Sequence, residues 1–257
     1  MAPPMKTSSA PKNGARFHVP ERLGPGVEIP LPDLAAHHAV RVLRLAVGAP
    51  VVLFDGHGGE HDAVITRVHR NNVDAKVTGF RDVDVESPLA VTLVQGVSSG
   101  DRMDSTLRKA VELGVRNFVP VFTERSVVKL RDERADRRRQ HWQSLAAAAC
   151  EQCGRNTVPH VAEAVDYRDW LAALAVVSGD QRRIALAVGG ARRLAELPRP
   201  TGDILLLVGP EGGLTRDENE LAANRGFASV ILGPRILRTE TAAVVAVAAM
   251  QTLWGDF

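Results

Sequence analysis

The sequence has only two cysteines, no long hydrophobic run and no secretory leader. Cys150 and Cys153 stand in the short segment CEQC, and two cysteines this close exclude a disulfide framework. The longest apolar stretch near the C-terminus, residues 242–253, is too short to span a bilayer. The N-terminal segment MAPPMKTSSAPKNGA lacks the apolar core of a signal peptide. These absences predict a cytoplasmic chain without membrane association, and residues 1–15 are predicted to be a disordered tail.

The CxxC pattern has two interpretations. With His141 and His160 nearby, it suggests a zinc site or a redox pair. However, the segment HWQSLAAAACEQCGR is typical of a helix approaching its C-terminus, and the sequence holds no second CxxC. The structural interpretation is therefore the stronger one, and we predict no metal site.

The overall composition is that of a globular protein, and its charge balance permits nucleic-acid binding without requiring it. The 257 residues are 45% hydrophobic and 24% charged, with a net charge of +2, so there is enough apolar material for two cores. Because the net charge is only mildly basic, any nucleic-acid surface depends on where the charges lie. Arg137, Arg138 and Arg139 form one dense group, which we interpret as the solvated opening of a helix, with RNA contact as the alternative.

Two regions differ in their periodicity. Residues 16–86 contain short β-forming runs separated by glycine and asparagine turns, which predicts a small, mostly antiparallel, barrel-like domain. One helix interrupts this domain, with Asp33 as the expected N-cap. In residues 87–257, near-continuous apolar runs alternate with helical patterns, which predicts an α/β domain with a mostly parallel sheet. Within it, Gly114 is expected to close one helix, and a long helix is expected to run through Ala149.

Two glycine-proline turns follow apolar strands in the second region. The segment LVGPEGGLTRDE places Gly209, Gly212 and Gly213 directly after ILLLV, and Thr215 with Glu218 has the spacing of a helix capping box. Glycine allows both a tight turn and a close approach of a ligand to the backbone. By spacing alone, a simple strand-to-helix turn and a ligand site are equally good interpretations.

The second turn, Gly233-Pro234 in LGPRILRTETAA, strengthens the case for a ligand site. Two such turns would form adjoining walls if their strands were neighbours in a parallel sheet. Arg235, Arg238 and Glu240 lie beside this turn, and a helix is expected to start near Thr239 or Thr241, with one of them as its cap. The sequence contains no P-loop, no dinucleotide-binding GxGxxG and no HExxH motif. A phosphorylated ligand held by a standard cradle is therefore disfavoured.

Several long segments together resemble a known family. Their residues and their order along the chain are similar to those of the bacterial small-subunit ribosomal RNA uridine-N3 methyltransferases of the SPOUT superfamily. The segments are HHAVRVLRLAVG, QGVSSGDRMDSTLRKAVELGV, AACEQCGRNTVP, LVGPEGGLTRDE and LGPRILRTETAAVVA. The resemblance implies a PUA-like RNA-binding barrel followed by a trefoil-knotted α/β domain. It also implies a homodimer that binds S-adenosylmethionine and acts on 16S ribosomal RNA of the small ribosomal subunit.

The same resemblance implies roles for particular residues. For the cofactor these are Val188, Gly189, Gly209, Pro210, Glu211, Gly212, Gly213, Leu232, Gly233, Ile236, Leu237 and Thr239. We expect Arg238 to stabilise charge on the uracil oxygens, and Glu240 to accept the N3 proton or to orient Arg238 through a salt bridge. The expected RNA contacts are Arg41, Arg44, Lys109, Arg125 and Arg155. The alternatives are a non-catalytic RNA-binding assembly factor of the same fold and an unrelated α/β enzyme with a phosphorylated substrate.

Overall fold

The chain folds into two compact units. The computed structural model describes residues 14–70, 72–126, 133–175, 180–189 and 192–257. One unit comprises Met1–Glu86 with Ala147–Val158, and the other comprises Ser87–Ala146 with Pro159–Phe257. Most of the predicted tail lies outside the described residues, and the first strand already starts at Ala15. The domain limits 16–86 and 87–257 stay predictions.

Among its described residues up to Glu86, the first unit contains five strands and a short helix. In chain order these are β1 (Ala15–His18), β2 (Glu28–Pro30), α1 (Asp33–His37), a π-helical turn (His38–Val42), β3 (Pro50–Phe54), β4 (Glu60–His69) and β5 (Asn72–Arg81). The strands form one sheet in the order β1-β3-β4-β5-β2, and every pairing except that of β1 with β3 is antiparallel. This arrangement confirms the mostly antiparallel β unit expected from the sequence.

The core of the first unit lies on the buried face of this sheet. Residues of β5 alternate between buried and exposed positions, as a half-buried strand requires. Phe17, Leu53 and Ile65 are almost completely buried in the same cluster. The N-cap expected at Asp33 was wrong. Pro32 occupies that position without a side-chain hydrogen bond, and Asp33 is the first helical residue.

The second unit alternates strands with helices. In chain order its elements are β6 (Val91–Gly96), α2 (Gly100–Glu112), β7 (Asn117–Phe122), α3 (Glu133–Cys153, whose C-terminal part belongs to the first unit), β8 (His160–Val161), β9 (Val165–Asp166), α4 (Tyr167–Ala173), β10 (Arg182–Leu186), β11 (Arg192–Arg193), a 3-10 turn (Leu194–Glu196), β12 (Ile204–Val208), α5 (Arg216–Asn224), β13 (Ala228–Ile231) and α6 (Thr239–Trp254). None of the helices in the described ranges has the length and apolar character needed to cross a membrane.

The strands of the second unit form one parallel sheet. Their order is β11-β13-β10-β12-β6-β7-β8, and β9 also pairs with β7. Every residue of β12 is buried, as expected for a central strand covered on both faces. The mixed α/β architecture with a parallel sheet confirms the fold class predicted from the sequence. The trefoil knot stays a prediction.

Most of the residues predicted to start or end helices in this unit do so. Gly114 follows α2 with a φ of 86°, as a helix-terminating glycine does. Thr215 and Glu218 form the reciprocal hydrogen bonds of the predicted capping box. The threonine cap expected for the last helix was wrong, because α6 begins at Thr239 after Arg238, and Arg238 makes no capping hydrogen bond.

Candidate cofactor site

A cavity of about 630 Å³ lies at the carboxyl ends of three neighbouring strands. The strands are β13, β10 and β12, adjacent in that order, and the loops that follow them form the walls. Because parallel strands all end at one edge of the sheet, their loops converge there and enclose a site. The volume is in the range of sites for small molecules and cofactors.

The two glycine-proline turns form separate walls of this cavity. Their strands, β12 and β13, are not direct neighbours, because β10 lies between them. The loop after β10 supplies the third wall, which includes Val188 and Gly189. All twelve residues expected to contact a cofactor line the cavity: Val188, Gly189, Gly209, Pro210, Glu211, Gly212, Gly213, Leu232, Gly233, Ile236, Leu237 and Thr239.

Hydrogen bonds fix the first turn to the start of α6. The Thr239 hydroxyl donates to the Gly209 carbonyl oxygen at 2.6 Å. The amide nitrogen of Gln95, a fully buried residue, donates to the Thr239 hydroxyl at 3.0 Å and to the Gly209 carbonyl at 3.3 Å. Thr239 therefore connects two walls of the cavity, instead of capping a helix.

Arg125 holds the same turn through a hydrogen bond to its backbone. Its guanidinium donates to the Gly212 carbonyl oxygen at 2.8 Å, and the side chain lines the cavity. The backbone N–H of the preceding residue, Glu124, donates to the carboxylate of Glu218 at 2.8 Å. No local pattern around Arg125 indicated that it belongs to the cavity wall. Its predicted contact with RNA stays a prediction.

The two predicted catalytic residues lie beside the cavity lining. Arg238 is exposed and directly precedes α6, and its chain neighbours Leu237 and Thr239 both line the cavity. Of the two roles expected for Glu240, the salt bridge to Arg238 is not among the ion pairs formed in the described part of the chain. Glu240 instead lies 3.8 Å from the guanidinium of Arg102, a residue for which no role was predicted.

Arg155 does not have the exposure that an RNA contact needs. It is only 4% exposed, and its guanidinium pairs with the Glu86 carboxylate at 2.6 Å. The backbone N–H groups of Asn156 and Thr157 donate to the same carboxylate. The RNA role predicted for Arg155 is therefore corrected to a structural role within the first unit.

The other predicted RNA contacts are accessible. Arg41 and Arg44 are exposed in the first unit, and Arg44 has a φ of 53° just after the π-helical turn. Lys109 is half exposed on α2 and forms an ion pair with Glu112 at 2.8 Å. Exposed cations of this kind are accessible to phosphate groups, although Lys109 would have to exchange its contact with Glu112.

The two cysteines lie in the last turn of α3. Cys150 is completely buried, with its thiol 3.7 Å from the Thr157 carbonyl oxygen, and burial raises its pKa to about 12. Such a thiol is neutral near pH 7 and a poor metal ligand or nucleophile. Within the described part of the chain, no three His, Cys, Asp or Glu side chains are grouped as a metal site would require.

The chemistry of the walls suits a nucleoside-type ligand without phosphates. The glycine turns line the cavity with backbone, together with the large apolar residues Val188 and Ile236. These two side chains are 80% and 79% exposed, so a bound ligand can cover them. S-adenosylmethionine combines an adenosine part, an amino-acid part and a sulfonium centre, and it needs no phosphate cradle. The residues present therefore fit this cofactor.

Comparisons with known sequences agree with this architecture. A profile described as RNA methyltransferase domain matches residues 85–251, and one described as RNA methyltransferase PUA domain matches residues 31–78. Ribosomal RNA small subunit methyltransferase E of Buchnera aphidicola is 30% identical over 98% of this chain and 100% of its own length. The Bacillus subtilis protein of the same name is 33% identical over 83% of this chain and 86% of its own length.

Two solved structures extend the similarity to three dimensions. Ribosomal RNA small subunit methyltransferase E of Neisseria gonorrhoeae, bound to S-adenosylmethionine, matches with 44% identity and a TM-score of 0.87 over 95% of this chain and 100% of that chain. A putative methyltransferase of Legionella pneumophila, also with bound cofactor, matches with 34% identity and a TM-score of 0.89 over the same shares.

The parallel sheet with its loop-built cavity, preceded in sequence by a PUA domain, defines an RNA methyltransferase of the SPOUT class. The chain belongs to the family of ribosomal RNA small subunit methyltransferase E.

Proposed function

We propose that this protein transfers the methyl group of S-adenosylmethionine to N3 of a uridine in 16S ribosomal RNA of the small ribosomal subunit. One observation carries the proposal. Twelve residues from three separate segments, selected because of the resemblance to this family, line a single cavity at the carboxyl edge of the sheet. The relatives with the same arrangement are ribosomal RNA small subunit methyltransferases, and solved ones hold S-adenosylmethionine.

The cavity residues bind and orient the donor. The turns at Gly209–Gly213 and Leu232–Leu237 offer backbone hydrogen-bonding groups, and Val188 and Ile236 offer apolar surface. When bound, the sulfonium cofactor supplies an electrophilic methyl group. Holding this methyl group in line with the attacking nitrogen supplies much of the rate gain in a group transfer.

The residues at the start of α6 act on the uridine. N3 of uracil carries a proton at neutral pH, so attack requires that proton to be removed and the resulting charge to be stabilised. Arg238, exposed beside the cavity, is placed to stabilise negative charge on the uracil oxygens. Glu240 carries the carboxylate nearest to Arg238 in the sequence and is the proposed proton acceptor. Because N3 lies on the pairing edge, the target base must be unpaired or flipped out.

The RNA is bound by the first unit and by exposed cations of the second. The PUA match covers the segment with Arg41 and Arg44, both exposed, and Lys109 and Arg125 add positive charge in the second unit. Binding that depends on such phosphate contacts should weaken steeply as salt increases. A ribosomal RNA substrate also supports the cytoplasmic location expected from the sequence.

We further propose that the protein acts as a homodimer with the cofactor site near the subunit interface. Two observations support this. The small-residue helix α6 exposes Val245 and Leu253, at 38% and 44%, and exposed Val188 and Ile236 border the cavity. A second copy of the chain that covers these side chains would remove their apolar surface from water. Sedimentation velocity of the purified protein tests the dimer directly.

The test of the catalytic proposal uses labelled S-adenosylmethionine and small ribosomal subunits that lack N3-methyluridine. We expect the label in N3-methyluridine at one site after nuclease digestion and mass spectrometry. Arg238→Ala should slow single-turnover methylation by about 100-fold with unchanged cofactor affinity. Arg216→Ala serves as the control, because Arg216 is a 90% exposed arginine on α5. Wild-type rates for Arg238→Ala would contradict its role, and cofactor binding without any transfer would favour the non-catalytic assembly factor.

A further inference from the structure

Arg102 connects the cofactor cavity to a helix that does not line it. The residue lies in the first turn of α2. Its Nη1 donates to Glu211 Oε1 at 2.9 Å, and its Nε lies 3.8 Å from Glu240 Oε1. Glu211 belongs to the first glycine turn, and Glu240 to the start of α6. One guanidinium therefore faces two carboxylates from two different segments of the site.

The contact with Glu211 is reinforced by the backbone. The Ser99 N–H donates to the same Oε1 of Glu211 at 2.9 Å, and Arg102 also donates to the Ser99 hydroxyl at 3.3 Å. Burial alone would raise the pKa of Glu211. The hydrogen bonds from Ser99, from its own backbone N–H and from Arg102 outweigh burial and lower it. Glu211 is therefore ionised at neutral pH and attracts the Arg102 guanidinium.

The positive charge of Arg102 lies near a Glu240 carboxylate that lacks part of its hydrogen bonding. The second carboxylate oxygen, Oε2, is enclosed and has no hydrogen-bond partner among the residues that the structure describes. An enclosed carboxylate oxygen without donors is costly, so the nearby positive charge of Arg102 matters more than it would at an open surface. Without Arg102, Glu211 would keep its backbone hydrogen bonds, but no cation would lie between its negative charge and that of Glu240.

We propose that Arg102 is a positioning residue for methyl transfer, which holds the turn with Glu211 and the helix start with Glu240 at a fixed distance. The inference rests on the proposed function, since these two segments are the ones that hold the methyl donor and present Arg238 and Glu240. Loss of the charge lets the two segments separate. Both cofactor binding and the transfer step then weaken, although Arg102 itself contacts neither reactant.

The experiment compares three variants of the full-length protein: Arg102→Gln, Arg102→Lys and, as a control, Arg108→Gln, which removes an exposed arginine from the same helix. Calorimetric titration with S-adenosylmethionine gives the dissociation constant, and single-turnover methylation of small subunits gives the transfer rate. We expect Arg102→Gln to weaken cofactor binding by about tenfold, or about 1.4 kcal/mol, and to slow transfer further at saturating cofactor. Arg102→Lys should recover part of both losses, because it keeps the charge but lacks the fork of donors that reaches both carboxylates.

A coupling measurement separates positioning from general destabilisation. If Arg102 acts through Glu211, then Glu211→Gln should cost much less cofactor affinity in the Arg102→Gln background than in the wild type. Additive effects of the two changes would overturn the proposal, as would wild-type binding and transfer by Arg102→Gln. Equal impairment of the Lys and Gln variants would overturn it too. Absence of cofactor binding by the wild-type protein would instead refute the proposed function, so the two failures are distinguishable.

Discussion

Gly96 stands at the end of β6, against the first glycine turn of the cavity. Its φ is not positive, so alanine can adopt the same backbone conformation, and only space opposes the substitution. A Cβ at this position would lie 2.5 Å from both Cδ and N of Pro210 and 3.0 Å from the carbonyl carbon of Gly209. We predict that Gly96→Ala displaces this turn and weakens cofactor binding.

The size of the effect follows from the missing space. Ordinary contact begins at 3.4 Å, so the Pro210 backbone must retreat by about 0.9 Å, and forced displacements in packed regions cost about 1–3 kcal/mol. If the turn relaxes in the free protein, the cofactor must pull it back against the new methyl group. The dissociation constant should then increase about 5- to 150-fold.

Calorimetric titration with S-adenosylmethionine measures this change, and thermal unfolding shows whether the free protein is strained as well. Gly100→Ala is the matched control. It lies four residues further on, and a Cβ there would make only an ordinary contact, 3.8 Å from the Arg138 guanidinium. Unchanged cofactor affinity together with an unchanged melting temperature for Gly96→Ala would refute the reasoning about close packing.

Two further predictions concern Arg155 and the two cysteines at the C-terminal end of α3. Arg155→Met should destabilise the protein by about 3 kcal/mol in urea unfolding, because it leaves the largely buried Glu86 carboxylate without its cation. Burial raises the pKa of Cys150 to about 12, so at pH 8 a disulfide reagent should modify only Cys153 in the folded protein and both thiols after unfolding.

Each of these two measurements has its own control. Arg67→Met removes a 66% exposed arginine that is also ion-paired within the first unit, with Asp74, and should cost less than about 1 kcal/mol. A similar cost for both arginine variants would contradict the structural role of Arg155. For the thiols, Cys153→Ser should leave a folded protein that barely reacts, and rapid labelling of that variant would show that Cys150 is not protected.

Local patterns in the sequence predicted the longer strands and helices of the second unit. The apolar run that became β12 is buried at every position, because a strand covered on both faces has no polar side. The capping box at Thr215 and Glu218 formed as predicted, since it depends only on residues within one turn of helix. In contrast, β8, β9 and β11 have two residues each and went unnoticed, because two residues have no periodicity.

Charged residues were the least predictable part of the structure. Arg155 and Arg102 look alike in the sequence, yet one is buried in an ion pair with Glu86 and the other faces two carboxylates beside the cavity. Their partners are 69 and 109 residues away for the closest contacts. No local pattern encodes a pairing at that separation, because it depends on which elements the fold brings together.

The sequence by itself determined the elements and the turns: alternating apolar runs dictate strands and helices, and glycine dictates where the backbone turns tightly. Only the tertiary structure decided that β10 lies between β12 and β13, so that three loops instead of two enclose the cavity. The same is true of the two carboxylates that share Arg102. Strand order and side-chain pairing result from packing between distant segments, and their free energy is a property of the whole fold.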